Sequence, residues 1–226
     1  MQKLKHIRDV KPFQKPQDSI FSKLFTRKLS CVLTFAFLKV EPTVTPNRVS
    51  FFSFELAVLA CVLFLYPSYW VRILGVVLLQ LSFALDCSDG EISRITNQSS
   101  KFGAWLDSVF DRFKEVLMLG SMTIAWYWRV QASPWVLIVG FLAIIGLQLV
   151  SYLREAKKSS WPSTRTSELF ITKDIYIGTV DVTVYLVSLA VVVHQELGAL
   201  IIFLGVSIPL VLKQMRSAYR LGKHDA

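Results

Sequence analysis

The chain opens on a charged lead segment, Met1 to Ser19, in which Lys3, Lys5, Arg8, Lys11 and Lys15 have no apolar run beside them, unlike a secretory signal. From Ser19 to Val40 the residues Ile20, Phe21, Leu24, Phe25, Leu29, Val32 and Leu33 recur at helical spacing, while Lys23, Arg27 and Lys28 take the remaining face. This pattern predicts an amphipathic helix in the membrane interface with its basic face toward anionic lipid, or packed on the spans with that face solvated. Six mainly apolar stretches follow, at 49 to 67, 70 to 88, 108 to 128, 134 to 153, 175 to 194 and 196 to 214. Each is close to the roughly 17 to 25 residues that cross a bilayer as a helix. The links Pro67 to Tyr69, Arg129 to Ser133 and His194 to Glu196 are short, so spans 1/2, 3/4 and 5/6 are predicted antiparallel hairpins.

Composition agrees: 53% of the 226 residues are hydrophobic and 18% charged, which excludes a soluble domain and a disordered chain. Three cysteines are too few for a disulfide framework. The net charge of +9 would suggest nucleic acid in a soluble protein, but here its distribution decides. Of 25 Lys and Arg, 23 fall before span 1, around the two long polar links or after span 6, and only Arg72 and Arg129 fall on the other side. Lys and Arg accumulate in cytoplasmic loops. The expectation is therefore an all-α integral membrane protein with six transmembrane helices, a cytoplasmic-side amphipathic helix before them and both termini cytoplasmic. Its parts are an N-terminal segment (1 to 48), a transmembrane domain (49 to 214) and a tail (215 to 226), with the bilayer rather than nucleic acid as partner.

Residues 86 to 111 read DCSDGEISRITNQSSKFGAWLDSVFD. Asp86 and Asp89 are three apart near the end of span 2, and Asp107 and Asp111 four apart at the start of span 3, so each pair shares a helical face. Asp86 is 16 residues after Trp70 and Asp111 is 17 before Trp128, so on antiparallel helices they stand at similar height. Four carboxylates converging near a bilayer repel one another and call for a cation. All-oxygen ligation suits Mg²⁺, Mn²⁺ or Ca²⁺, and no His or Cys pair has zinc spacing. Two such ions beside Arg94 describe a site for a polyphosphate, with Gly90 and Gly103 permitting close approach.

This segment resembles the signature of the CDP-alcohol phosphotransferases, D-x-x-D-G-x-x-A-R-x8-G-x-x-x-D-x-x-x-D, through Asp86, Asp89, Gly90, Arg94, Gly103, Asp107 and Asp111, with all spacings kept and Ser93 replacing Ala. The Thr45-Pro46-Asn47 start of span 1 is similar too, and Asp89-Gly90-Glu91-Ile92 with Thr172-Lys173-Asp174-Ile175 resembles the inositol-phosphate-transferring branch. The resemblance implies attack by an alcohol hydroxyl on the β-phosphorus of a CDP-linked donor, CDP-diacylglycerol or a CDP-polyol, with release of CMP. It implies two divalent ions, Mg²⁺ or Mn²⁺, held by Asp86, Asp89 and Asp107, with Asp111 a further ligand or the general base and Asp107 and Asp111 the catalytic pair. The nucleotide pocket would comprise Asn47, Asp89, Gly90, Ser93, Arg94 and Gly103, and the protein would be a homodimer.

For the acceptor, expected to be a phosphorylated polyol such as inositol phosphate, the candidates are Arg154, Lys173, Lys213 and Arg216, basic residues at the ends of spans 4, 5 and 6. Topology alone also places Lys and Arg there. Glu55 and Asp181, inside spans 1 and 5, are expected to make interhelical hydrogen bonds or to be neutral. Cys31, Cys61 and Cys87 read as small apolar residues. Two rival functions are a non-catalytic family member serving as a membrane scaffold or lipid binder, and a divalent-cation transporter. Retention of all four aspartates argues against the first, and the scarcity of polar residues deeper in spans 2 and 3 against the second.

Overall fold

A computed structural model describes residues 5–131, 133–162, 169–170 and 175–224. Seven α-helices dominate: α1 (Arg27–Val40), α2 (Pro46–Phe64), α3 (Tyr69–Thr96), α4 (Lys101–Val130), α5 (Trp135–Ser160), α6 (Thr179–Val193) and α7 (Glu196–His224). Four of them, α2, α3, α5 and α7, are long and apolar enough to cross a membrane. The other two predicted spans are helical but atypical: α4 carries six charged residues between Lys101 and Glu115, and α6 has only 15 residues. The expected boundaries hold at the apolar ends. At the other ends α3, α4, α5 and α7 run on into polar sequence, α3 as far as Thr96.

Local chemistry explains the breaks. Pro46 supplies the first residue of α2, where its missing N–H costs nothing. Asn97, Gln131 and His194, the residues that end α3, α4 and α6, adopt left-handed φ values of 55°, 46° and 57°. Such a conformation ends a helix abruptly and lets the chain reverse. Predicted span 5 is corrected at its start: Ile175–Ile177 forms a strand, and α6 begins at Thr179 after the extended Gly178. That strand (β3) pairs in parallel with Asp18–Ser19 (β1) and antiparallel with Leu169–Phe170 (β2), an addition to the all-α expectation. Two β-branched residues flanking Tyr176 favour the extended form, and the ladder pairs backbone groups that an apolar surrounding would leave unsatisfied.

The segment expected to be an amphipathic helix is helical, a π turn (Ser22–Thr26) running into α1, but its basic face does not lie where expected. Arg27 is buried and pairs with Asp18 (2.5 Å) and Glu91 (3.2 Å). Ser22, Thr26, Ser30 and Thr34 are buried with it, while Leu24, Phe25, Leu29 and Val32 are exposed. Polar groups turn inward because α3 offers Arg27, Ser30 and Thr34 the buried carboxylate of Glu91, while α6 offers Asp181 to Ser22 and Tyr185 to Thr26.

The main apolar core lies between the helices, around Phe64, Leu79, Met118, Met122, Leu147 and Leu200. At the end of the bundle where α3 starts and α4 finishes, charge is gathered on one buried carboxylate. Glu196 Oε1 accepts from Arg72 Nη1 (3.0 Å) and Arg129 Nη2 (2.5 Å). Both arginines also approach His194 Nδ1 at 2.9 Å. These are the two cations that the charge count left on the far side. Asp181 accepts from Ser22 Oγ at 2.6 Å, the hydrogen bond expected of it. Glu55 is exposed on α2 and has no hydrogen-bond partner among the described residues.

Candidate active site

The α3–α4 hairpin builds the site. After Asn97 turns the chain, Ser100 caps α4 by accepting from the Gly103 N–H at 2.9 Å. Asp86 and Asp89 therefore face Asp107 across a tight junction. One carboxylate oxygen from each of the three lies within 4.8 Å of the others. They stand in a cleft of about 290 Å³ that is also lined by Asn47, Gly90, Ser93, Arg94 and Gly103. Asp89 accepts from Ser50 Oγ of α2 at 2.5 Å. Asp111 is one turn beyond Asp107, outside the triad and outside the cleft lining, but near enough to interact electrostatically with Asp86 and Lys114.

Lys114, buried on the same face of α4, donates to Asp86 and to Ser53 Oγ (2.9 Å). Among the described residues it is the sole cation ion-paired with the triad, so the carboxylates outnumber their paired cation. An excess of hard, closely spaced oxygen donors fits a divalent ion such as Mg²⁺ or Mn²⁺. Two turns beyond Asp86 on α3, Arg94 Nε donates to the Phe13 carbonyl, while its Nη2 is buried without a partner. A Cβ added at Gly90 would lie 3.4 Å from Arg94 Nη1 and 3.5 Å from Nη2, so the guanidinium lies directly over this glycine. A Cβ at Gly103 would crowd Ser100 Oγ (3.1 Å) and Asn47 Oδ1 (3.2 Å). The Ser93 hydroxyl is turned away from open space, donating to the Gly90 carbonyl (3.2 Å) and lying 3.3 Å from Ser99 Oγ.

All six residues expected to bind nucleotide thus line one cleft with three of the four aspartates. The acceptor candidates do not join them. Arg154 donates to Thr179 Oγ1 at 3.4 Å and keeps a buried, unpartnered Nε, outside the cleft lining. Lys213 and Arg216 are exposed on α7, in a separate groove with Arg220. Lys173 lies outside the described residues. Sequence reasoning passed over three site residues. Lys114 follows Asp107 by seven and Asp111 by three, a helical register that signals one face. Ser50 and Glu91 gave no such sign. Glu91 is fully buried and accepts from Ser30 Oγ (2.7 Å), Thr34 Oγ1 (2.7 Å) and Arg27, which locks α1 to the site helix. Burial, reinforced by Glu91, pushes the Cys31 thiol up, in keeping with an unreactive apolar role.

Comparison with known proteins gives this geometry a context. The chain is 31% identical over 148 residues to the bifunctional IPC transferase and DIPP synthase of Aquifex aeolicus, a match covering 64% of this chain and 31% of that protein. It is 33% identical over 111 residues to the archaetidylinositol phosphate synthase of Pyrococcus horikoshii, covering 49% and 54%. The chain therefore spans between about a third and about a half of the length of these curated relatives. Its fold is similar to the crystal structure of Mycobacterium tuberculosis phosphatidylinositol phosphate synthase with CDP-DAG bound, with a TM-score of 0.67 at 16% identity, covering 85% of this chain and 94% of that one. Residues 43–211, which contain the whole hairpin and its cleft, match the CDP-alcohol phosphatidyltransferase model, and the chain belongs to that family.

Proposed function

We propose that the protein is a metal-dependent CDP-alcohol phosphotransferase that moves a substituted phosphate from a CDP-linked donor to a hydroxyl of a phosphorylated polyol, inositol phosphate being the first candidate. The observation that carries this reading is the convergence of Asp86, Asp89 and Asp107 in one cleft with Asn47, Gly90, Ser93, Arg94 and Gly103. The inositol phosphate assignment is supported by the names of the Pyrococcus relative and the Mycobacterium neighbour, and CDP-diacylglycerol as donor by the ligand of that neighbour.

In this reading the acceptor oxygen attacks the β-phosphorus of the donor. A new P–O bond forms, the bond from that phosphorus to the bridging oxygen breaks, and CMP departs with the electron pair. Asp111 or Asp107 takes the hydroxyl proton. Mg²⁺ or Mn²⁺, two ions held by Asp86, Asp89, Asp107 and Asp111, would neutralise charge on the diphosphate and the departing CMP. Arg94, with its unpartnered Nη2 over Gly90, adds a fixed cation to the cleft lining. Arg154, Lys173, Lys213 and Arg216 are the proposed acceptor contacts, Arg154 first because its buried Nε lacks a partner.

The membrane arrangement proposed is six crossings, with α4 and α6 joining the four apolar helices, both termini and the cleft in the cytoplasm, the apolar face of the α1 segment in the interface, and a homodimer in the bilayer. The sequence distribution, with 23 of 25 basic residues before span 1, around the two long polar links or after span 6, supports this orientation. The direct test is CMP release by the purified protein with Mg²⁺ or Mn²⁺, offering CDP-diacylglycerol and CDP-inositol against a panel of polyols and polyol phosphates. Release that needs both donor and acceptor is the expected result. Its absence with every pair would remove the proposed reaction. Arg154→Ala is expected to raise the apparent KM for the acceptor, and an unchanged value would take Arg154 out of that site.

A further inference from the structure

From Ile7 onward, the charged lead segment is folded onto the site. A 3-10 helix (Ile7–Phe13) sinks Val10, fully buried, into an apolar cluster with Cys31, Val49, Leu85 and Ile92. At its end the Phe13 carbonyl accepts from Arg94 Nε, and Gln14 Nε2 reaches Glu91 Oε1 (3.1 Å) and the Arg27 carbonyl (3.0 Å). Four residues after Gln14 the chain is fixed again, where Asp18 pairs with Arg27 and joins the sheet. Lys15 stands between these two anchors. It is exposed, lines the same cleft as Asp86, Asp89 and Arg94, and is near enough to Asp107 to interact with its carboxylate.

We infer that Lys15 is a donor-binding residue, presented by the N-terminal strap to the diphosphate of a CDP-linked ligand. The inference rests on the function proposed above and adds a residue from outside the signature. Its physical basis is preorganisation. A lysine on a free arm would lose the entropy of ordering its backbone when it met an anion, whereas the backbone of Lys15 is already held on both sides. The lining of the cleft then holds both carboxylates and the cations Arg94 and Lys15. A diphosphate held in this cleft with divalent ions on the aspartates would have these cations within its reach.

The test is titration of the full-length protein with CDP in the presence of Mn²⁺, beside titration with Mn²⁺ alone. Lys15→Ala is expected to weaken CDP binding about tenfold, the effect of one charge-assisted contact, while Lys15→Arg keeps it within about threefold. Binding of Mn²⁺ alone is expected not to fall in either variant, since removing a cation beside carboxylates does not weaken their hold on a metal. Gln14→Ala, which releases the strap without touching the charge, is expected to reproduce part of the loss. Unchanged CDP affinity in Lys15→Ala overturns the inference, and so does an equal loss of CDP and Mn²⁺ binding, which would mark Lys15 as merely structural. If the unaltered protein itself bound no CDP, the proposed function would fail before Lys15 came into question.

Discussion

The two ends of the helix bundle treat buried charge in opposite ways. At one, Arg72 and Arg129 close on the single carboxylate of Glu196, so the surplus charge there is positive. At the other, three carboxylates cluster and, among the described residues, Lys114 is their one ion-paired cation, through Asp86, so the surplus is negative. The first arrangement ion-pairs its one carboxylate twice over and holds helix ends together, although Arg72 Nε and Glu196 Oε2 stay without hydrogen-bond partners. The second is incomplete, and the imbalance is what makes it fit for binding a metal and a phosphate ester. Within one small membrane protein, the sign and the surplus of charge separate a structural cluster from a chemical one.

This contrast can be broken most severely at the acidic end. Asp107→Asn is expected to lower CMP release by at least about 10²-fold while leaving thermal unfolding in detergent unchanged or slightly higher, because one repelling carboxylate is gone. Turnover near the starting level would sink the assignment of the triad. At the other end the expected effects reverse. Glu196→Ala leaves Arg72 buried and uncompensated, a loss of about 3–5 kcal/mol in stability, with CMP release per folded molecule largely kept. A normal melting profile would show that the far cluster is dispensable.

Lys114→Met sharpens the comparison, since it makes the acidic end still less balanced. Its stability without divalent ions is expected to fall by about 3 kcal/mol, and added Mn²⁺ is expected to restore much of the loss. Differential scanning with and without the ion reads this directly, and equal losses in both would contradict it. The smallest effect is expected from Ser50→Ala, which removes the hydrogen bond to Asp89. A contribution of about 1.5 kcal/mol, roughly tenfold in Mn²⁺ affinity, is the scale for a bond to a charged acceptor, measured by calorimetry.

Much of this was legible in the sequence because it is periodic or local. Hydrophobic runs fixed where helices lie, and spacings of three and four between aspartates fixed which side chains share a face. Asn47, far from the hairpin in sequence, was reached through the family resemblance rather than through spacing. What escaped was set by contacts between distant segments. The inward turn of Arg27 depends on Glu91, 64 residues away, and the strand at Ile175–Ile177 depends on pairing with Asp18–Ser19. The packing of the lead segment also depends on distant contacts, since Ile7, Val10 and Phe13 are isolated between charged residues and the burial of Val10 needs a cluster drawn from α1, α2 and α3.

The hairpin joining α3 and α4 also bears on how such a site can change over generations. Between Gly103, pressed against Ser100 and Asn47, and Asp107 there is one helical turn. A single inserted residue there would swing Asp107 by about 100° around the helix axis and carry its carboxylate out of the cleft. Replacing Ala by Ser at position 93 disturbs far less, because the added hydroxyl finds partners within its own turn and loop. Insertions and deletions are therefore barred from this stretch while several of its side chains remain free to drift, and the distance between its fixed residues is a more durable heritable trait than the residues that fill it.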